Sequence, residues 1–104
     1  MKSKTIPYYT DPGHGWIKVS LKELEKYDLM DKISSYSYIR KDYAYLEEDC
    51  DANVYVRKLT SMGIEAKLKI LNSNKSSKIR SYERFSHWWG SFHYLNILKK
   101  LNQN

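Results

Sequence analysis

Asp11-Pro-Gly-His-Gly-Trp16 places a carboxylate, an imidazole and an indole within six residues. An imidazole can serve as a general base or a metal ligand, and a glycine on either side of His14 lets its backbone approach a ligand closely. A second cluster, Glu47-Glu48-Asp49-Cys50-Asp51, sets four carboxylates within five residues, an arrangement that needs a cation or a helix end to relieve its repulsion. Together His14 and Glu47, Glu48, Asp49 and Asp51 could form a metal or acid–base site, although neither an HxxxH pair nor a DxD with a second histidine is present. A structural reading competes for every one of these residues. Asp11 would accept backbone N–H groups in a tight turn, Gly13 or Gly15 would take positive φ, and Trp16 would anchor the core. Asp49 and Asp51 would cap a following helix. Cys50 sits among carboxylates that disfavour its thiolate, so it reads as a small thiol and not a nucleophile. The structural reading is adopted: no metal and no cofactor are expected, and Asp11, His14, Glu47 and Glu48 remain candidate ligand or partner contacts.

Charge points elsewhere along the chain. Residues 1–65 carry ten Lys/Arg against eleven Asp/Glu, whereas residues 66–104 carry eight against one, so the whole excess of +6 lies in the last third. Lys75, Lys78, Arg80 and Arg84 interleave there with Tyr82 and Phe85 and lead into Trp88-Trp89, which combines phosphate-seeking charge with stacking rings. No RNP sequence, GxxG loop or zinc finger accompanies them. Their rival role is a C-terminal helix at 86–104, with Trp88, Phe92, Leu95 and Leu98 on one stripe, that docks on the sheet or forms a homodimer. Ten tyrosines are a second oddity, and Tyr36 and Tyr38 join the candidate contacts because an exposed aromatic sheet face stacks bases or anchors a protein.

The elements that must position these residues fit one domain over 1–104, a length that buries roughly two thirds of the unfolded surface. Tyr8-Tyr9-Thr10 and Trp16–Val19 read as a hairpin around the His14 turn. Ser20 and Glu23 form a capping box for a helix from Leu21 to about Met30. Ser35–Ile39 and Tyr43–Glu47 read as a central hairpin. A second helix follows Asp51 with Ala52, Val56 and Leu59 inward, Tyr55 and Met62 flanking, and Gly63 at the left-handed C′ position. Ile64, Ala66, Leu68 and Ile70 alternate with charged residues as a strand whose apolar stripe that helix should cover. The result is α+β: a mainly antiparallel sheet with two or three helices in the order β-β-α-β-β-α-β-α. One cysteine permits no internal disulfide, the N-terminal residues lack an apolar signal core, and no apolar run approaches the ~20 residues that span a bilayer, so a cytoplasmic protein without a membrane partner is expected.

The blocks Asp11-Pro-Gly-His-Gly-Trp16, Ile33-Ser-Ser-Tyr-Ser-Tyr38 and Tyr45-Leu-Glu-Glu-Asp-Cys-Asp-Ala52 resemble the signature of a family of short, uncharacterised proteins of bacteria, phages and plasmids. The resemblance covers roughly residues 8–86 and implies a setting, mobile-element cargo, but no activity. The function expected is that of a phage or mobile-element accessory protein that binds a host macromolecule stoichiometrically and is not an enzyme. Nucleic acid, held through the basic C-terminal third, is the first partner expected. An inhibitor binding a protein of a host defence system is the alternative, and a small metal-dependent enzyme using His14 and the 47–51 run comes third.

Overall fold

The computed structural model describes residues 2–85, so the expected C-terminal helix at 86–104, with Trp88 and Trp89, lies outside the described residues. One mixed sheet has six strands, β1 (Lys2–Thr10), β2 (Gly15–Ser20), β3 (Tyr38–Arg40), β4 (Tyr43–Glu47), β5 (Ile64–Asn72) and β6 (Glu83–Arg84). They lie in the order β5-β1-β2-β4-β3-β6. Two α-helices, α1 (Leu21–Lys26) and α2 (Asp51–Ser61), complete an α+β domain. All pairings are antiparallel except β1 with β5.

Strand alternation divides the side chains between two faces. Ile17, Val19, Ala44 and Leu46 point inward to the main core, where Leu21 and Leu24 of α1 and Ala52, Tyr55 and Leu59 of α2 meet them. Trp16, Tyr38 and Tyr45 point to the opposite face and form a second cluster with Ile79, which the 77–85 segment brings back across the sheet. Tyr55, expected at the edge of α2, is instead fully buried; its hydroxyl donates to Glu23, which also takes Lys4, so one carboxylate joins β1, α1 and α2. Burial and that bond push the Tyr55 phenol well above its usual range.

Several local expectations hold. Ser20 Oγ accepts from Glu23 N at 3.1 Å, and Gly63 takes φ +75° just beyond α2. Others are corrected. α1 ends at Lys26, because Asp28 enters the left-handed region at φ 58° and the chain continues into a 3-10 turn at Met30–Lys32. β1 begins at Lys2, six residues before the expected start, through parallel pairing with β5 from Lys2↔Ile64 to Thr10↔Asn72. The β5 stripe keeps its face but not its burial: Ile64 and Ala66 pack on the core, while Leu68 and Ile70 are 47% and 64% exposed. An eleven-residue helix is about 16 Å long and a nine-residue strand about 30 Å, so α2 cannot cover the strand's far half.

Neither Asp49 nor Asp51 is the helix cap. The N-cap is Cys50, whose side chain makes no capping bond, and Asp51 is the first helical residue. Asp51 is 1% exposed, and its Oδ2 accepts from Ser34 N at 3.1 Å, Ser34 Oγ at 2.7 Å and the Ser37 hydroxyl. Ser37 Oγ in turn accepts from Glu47 N at 3.0 Å, and its carbonyl accepts from Phe85 N at 2.8 Å. This buried node binds the start of α2, the 34–37 turn, the end of β4 and the end of β6. Asp51→Ala strands its buried donors, and urea denaturation is expected to show a loss of about 2–4 kcal/mol. Asp49→Ala, at an exposed position, is expected to stay within about 0.5 kcal/mol of wild type.

Candidate functional site

Asp11 builds the turn that presents His14. Its backbone N–H donates to His14 O at 2.9 Å, and its Oδ1 accepts from Gly13 N at 3.0 Å and His14 N at 2.9 Å, a closed loop that fixes the backbone from which the imidazole projects. Reaching across the sheet, Oδ2 accepts from Ser77 N at 2.9 Å, and Arg80 donates to both oxygens, Nε at 2.7 Å and Nη2 at 2.9 Å. The Asp11 side chain is wholly buried. Arg80's guanidinium, with the N–H groups of Ser77, His14 and Gly13, holds its carboxyl far below the usual carboxylate range against the opposing pull of desolvation.

The glycines of this turn serve close approach, not positive φ as the sequence suggested; Gly63 alone among the described glycines has positive φ. A Cβ on Gly15 would lie 2.6 Å from the Tyr8 hydroxyl and 2.8 Å from Glu48 Oε2, two groups already hydrogen-bonded to each other. That bond, together with burial, pushes the Tyr8 phenol up to about 12. On Gly13 the Cβ would lie 2.8 Å from Arg80 Nη2.

A cavity of about 420 Å³ opens beside the turn, lined by His14, Trp16, Tyr36, Tyr38, Glu47, Asp49, Cys50, Arg80 and Arg84. Its volume falls in the range of small-molecule sites. Strand pairing explains the convergence: Trp16 stands opposite Glu47, and Tyr38 opposite Arg84. The Asp51 node adds the Tyr36 turn and the Asp49–Cys50 segment. The floor is aromatic, with Trp16 buried and packed edge-on against Tyr38 at 6.3 Å. The Arg80 guanidinium lies 5.4 Å over Trp16 and that of Arg84 5.1 Å over Tyr38. Trp16 Nε1 is the one buried side-chain polar atom, among the described residues, that has no hydrogen-bond partner.

One wall is acidic. His14 Nδ1 lies 3.5 Å from Glu47 Oε1, and ligand atoms of His14, Glu47, Glu48 and Asp49 lie within 4.8 Å of one another. Two of those carboxylates also have protein partners, Glu48 in Tyr8 and Glu47 in the Asp49 N–H at 2.9 Å. Cys50 lies 3.8 Å from Ser34 Oγ at this wall; the Ser34 bond acts to lower its thiol pKa, but desolvation and the nearby carboxylates together raise it.

Of the residues singled out from sequence, His14, Tyr36, Tyr38, Glu47, Arg80 and Arg84 thus share one cavity. Asp11 lies beneath it as a support. Glu48 points to Tyr8, Lys75 and Lys78 are exposed in and just after the 73–77 loop, and Trp88 and Trp89 lie outside the described residues. Sequence reasoning missed Lys18, whose ammonium lies 4.2 Å over the Tyr43 ring, and the 5.0 Å stacking of Arg40 on Tyr82. The alternation of Trp16, Ile17, Lys18 and Val19 already placed Lys18 on the Trp16 face.

Because the folded-state pKa of Asp11 lies below the ~3.9 of an unfolded aspartate, its stabilisation is fully present above about pH 4 and is lost as pH falls further. Urea midpoints measured from neutral pH downward are expected to drop steeply below about pH 4 in the wild type. Asp11→Asn is expected to start lower at neutral pH and to decline less steeply. Comparison with family models, with curated proteins and with solved structures found no match, so the functional reading rests on the geometry of this site.

Proposed function

We propose that the protein binds single-stranded nucleic acid across the outer face of its sheet. One observation carries the reading: four cations lie over four aromatic rings on that face, Lys18 on Tyr43, Arg40 on Tyr82, Arg80 on Trp16 and Arg84 on Tyr38. Single-strand binders combine aromatic platforms, on which any base stacks, with cations that follow the phosphates. Here the two are paired in space: Trp16 and Tyr38 are buried beneath their arginines, which leaves the stacking to the more exposed rings. Tyr43 is 41% exposed and Tyr36 67%, so ring faces remain accessible beside the charges. A second concavity of about 290 Å³, lined by Arg40, Lys41, Ser81, Tyr82 and others, adjoins the Arg40–Tyr82 pair.

Affinity for a short oligothymidine, followed by fluorescence anisotropy, is expected to fall steeply with salt because each neutralised phosphate releases counterions. Lys18→Gln, Arg40→Gln and Arg84→Gln should each reduce the slope of log K against log salt by about 0.7. Each should lower stability by only about 0.5–1 kcal/mol, the value of an exposed cation–π contact. No binding to any single strand at low salt sinks the reading.

A second reading is favoured by the clustering of His14, Glu47, Glu48 and Asp49: a divalent-cation centre, and with it a metal-dependent enzyme. Titration calorimetry with zinc and with manganese tests it. One bound equivalent, lost in His14→Ala, is the outcome it requires, and absence of binding by the wild type removes it.

A further inference from the structure

The outer-face reading treats every base alike; the cavity does not. Its acidic wall of Glu47 and Asp49 stands opposite in chemistry to its arginine wall of Arg80 and Arg84, and both share an aromatic floor. A phosphate placed against Glu47 and Asp49 would be repelled, so that wall calls for hydrogen-bond donors. The arginines call for acceptors. Arg80 uses Nε and Nη2 on Asp11, and Arg84 uses Nη1 on the Ser35 carbonyl at 3.1 Å, which fixes both guanidinium groups before any ligand arrives.

Among the nucleobases, guanine alone presents two adjacent donors on one edge, N1–H and the N2 amino group, and two adjacent acceptors, O6 and N7, on the next. A carboxylate spans the first edge, and arginine is the usual partner of the second. Tyr36 and His14, both exposed at the rim of the cavity, provide ring faces against which a base could lie. We infer that this cavity is a guanine pocket, in which Asp49 and Glu47 read the N1/N2 edge and Arg84 reads O6 or N7. The inference rests on the proposed single-strand binding and assigns it a preferred base.

The test compares an oligothymidine with the same strand carrying one guanine, adenine or cytosine at its centre, by anisotropy with EDTA present. Guanine is expected to raise affinity at least about fivefold, the low end of what one bidentate pair supplies, and adenine and cytosine much less. In Asp49→Asn, an exposed position where folding should be unaffected, the guanine-to-thymine ratio is expected to fall towards one. Free guanosine monophosphate should displace the guanine strand better than the other mononucleotides do. Equal affinity for all four strands overturns the pocket and leaves the single-strand reading standing. Binding of guanosine monophosphate without binding of any strand overturns the outer-face reading and keeps the pocket. A guanine preference that appears only when zinc is added overturns the inference in favour of a metal centre on the acidic wall.

Discussion

The buried carboxylate of Asp11 is the constraint on which the outer face depends. An ionised group out of water is tolerated only when its lone pairs are filled, and here five N–H donors fill them: two from its own turn, the Ser77 amide and two from Arg80. Because three of the five come from 66 to 69 residues away, the same requirement that closes the His14 turn also draws residues 77–80 onto the sheet. Once that segment is seated, Ile79 enters the aromatic cluster, Tyr82 packs on Tyr45 at 5.1 Å and Arg84 arrives opposite Tyr38. The contacts of Arg80 with Trp16, Arg84 with Tyr38, and Tyr82 with Arg40 and Tyr45 all depend on the segment which that satisfied charge holds.

Asp51 does for the other wall what Asp11 does for the first. Its partners Ser34 and Ser37 lie in a turn closed by one long backbone bond of its own, Ser37 N to Ser34 O at 3.3 Å, and the side-chain bonds to a helix terminus add to it and hold that turn in place. Tyr36 stands between those two serines, exposed, with its N–H donating to Ser34 Oγ at 3.2 Å. A loop tied at both neighbours can present an aromatic ring with little ordering cost on binding, which is what a preorganised site needs.

How much of this was legible in the sequence divides along the reach of the interactions. The Ser20 cap, the Gly63 turn, the anchoring of Trp16 and the bonding of Asp11 within its own turn rest on contacts a few residues apart, and each could be read directly. The alternation in β5 fixed which residues share a face, but not how far α2 extends over them. Asp51 was misread because a short carboxylate at a helix start has two outlets, the helix's own amides or donors elsewhere, and only the fold decides. Gly13 and Gly15 were misread for a related reason: a glycine in a turn suggests special backbone, whereas these yield space to Arg80 and to the Tyr8–Glu48 pair from distant strands. The cavity itself was visible only as separate suspicious segments, since nothing local announces that residues 14, 36, 47 and 84 converge.

The charge distribution carries the same lesson in a form that bears on function. Along the chain the positive excess belongs to the last third, yet the sheet order places the described strands of that third at both edges, with β5 on one side and β6 on the other. Five strand spacings of about 4.8 Å separate them, roughly 24 Å. Lys67 and Lys69 of β5 alternate onto the same face as Tyr9 and Trp16, through the pairings of Pro7 with Lys69 and of Tyr9 with Trp16. Lys18 and Arg40, drawn from the acidic part of the sequence, lie between the two edges on that face. A partner attracted by this field therefore meets cations along the whole width of the sheet, and the acidic wall of the cavity is a local interruption in that field. An interruption of that kind suits a group that is itself a donor, carried on a chain that is otherwise anionic.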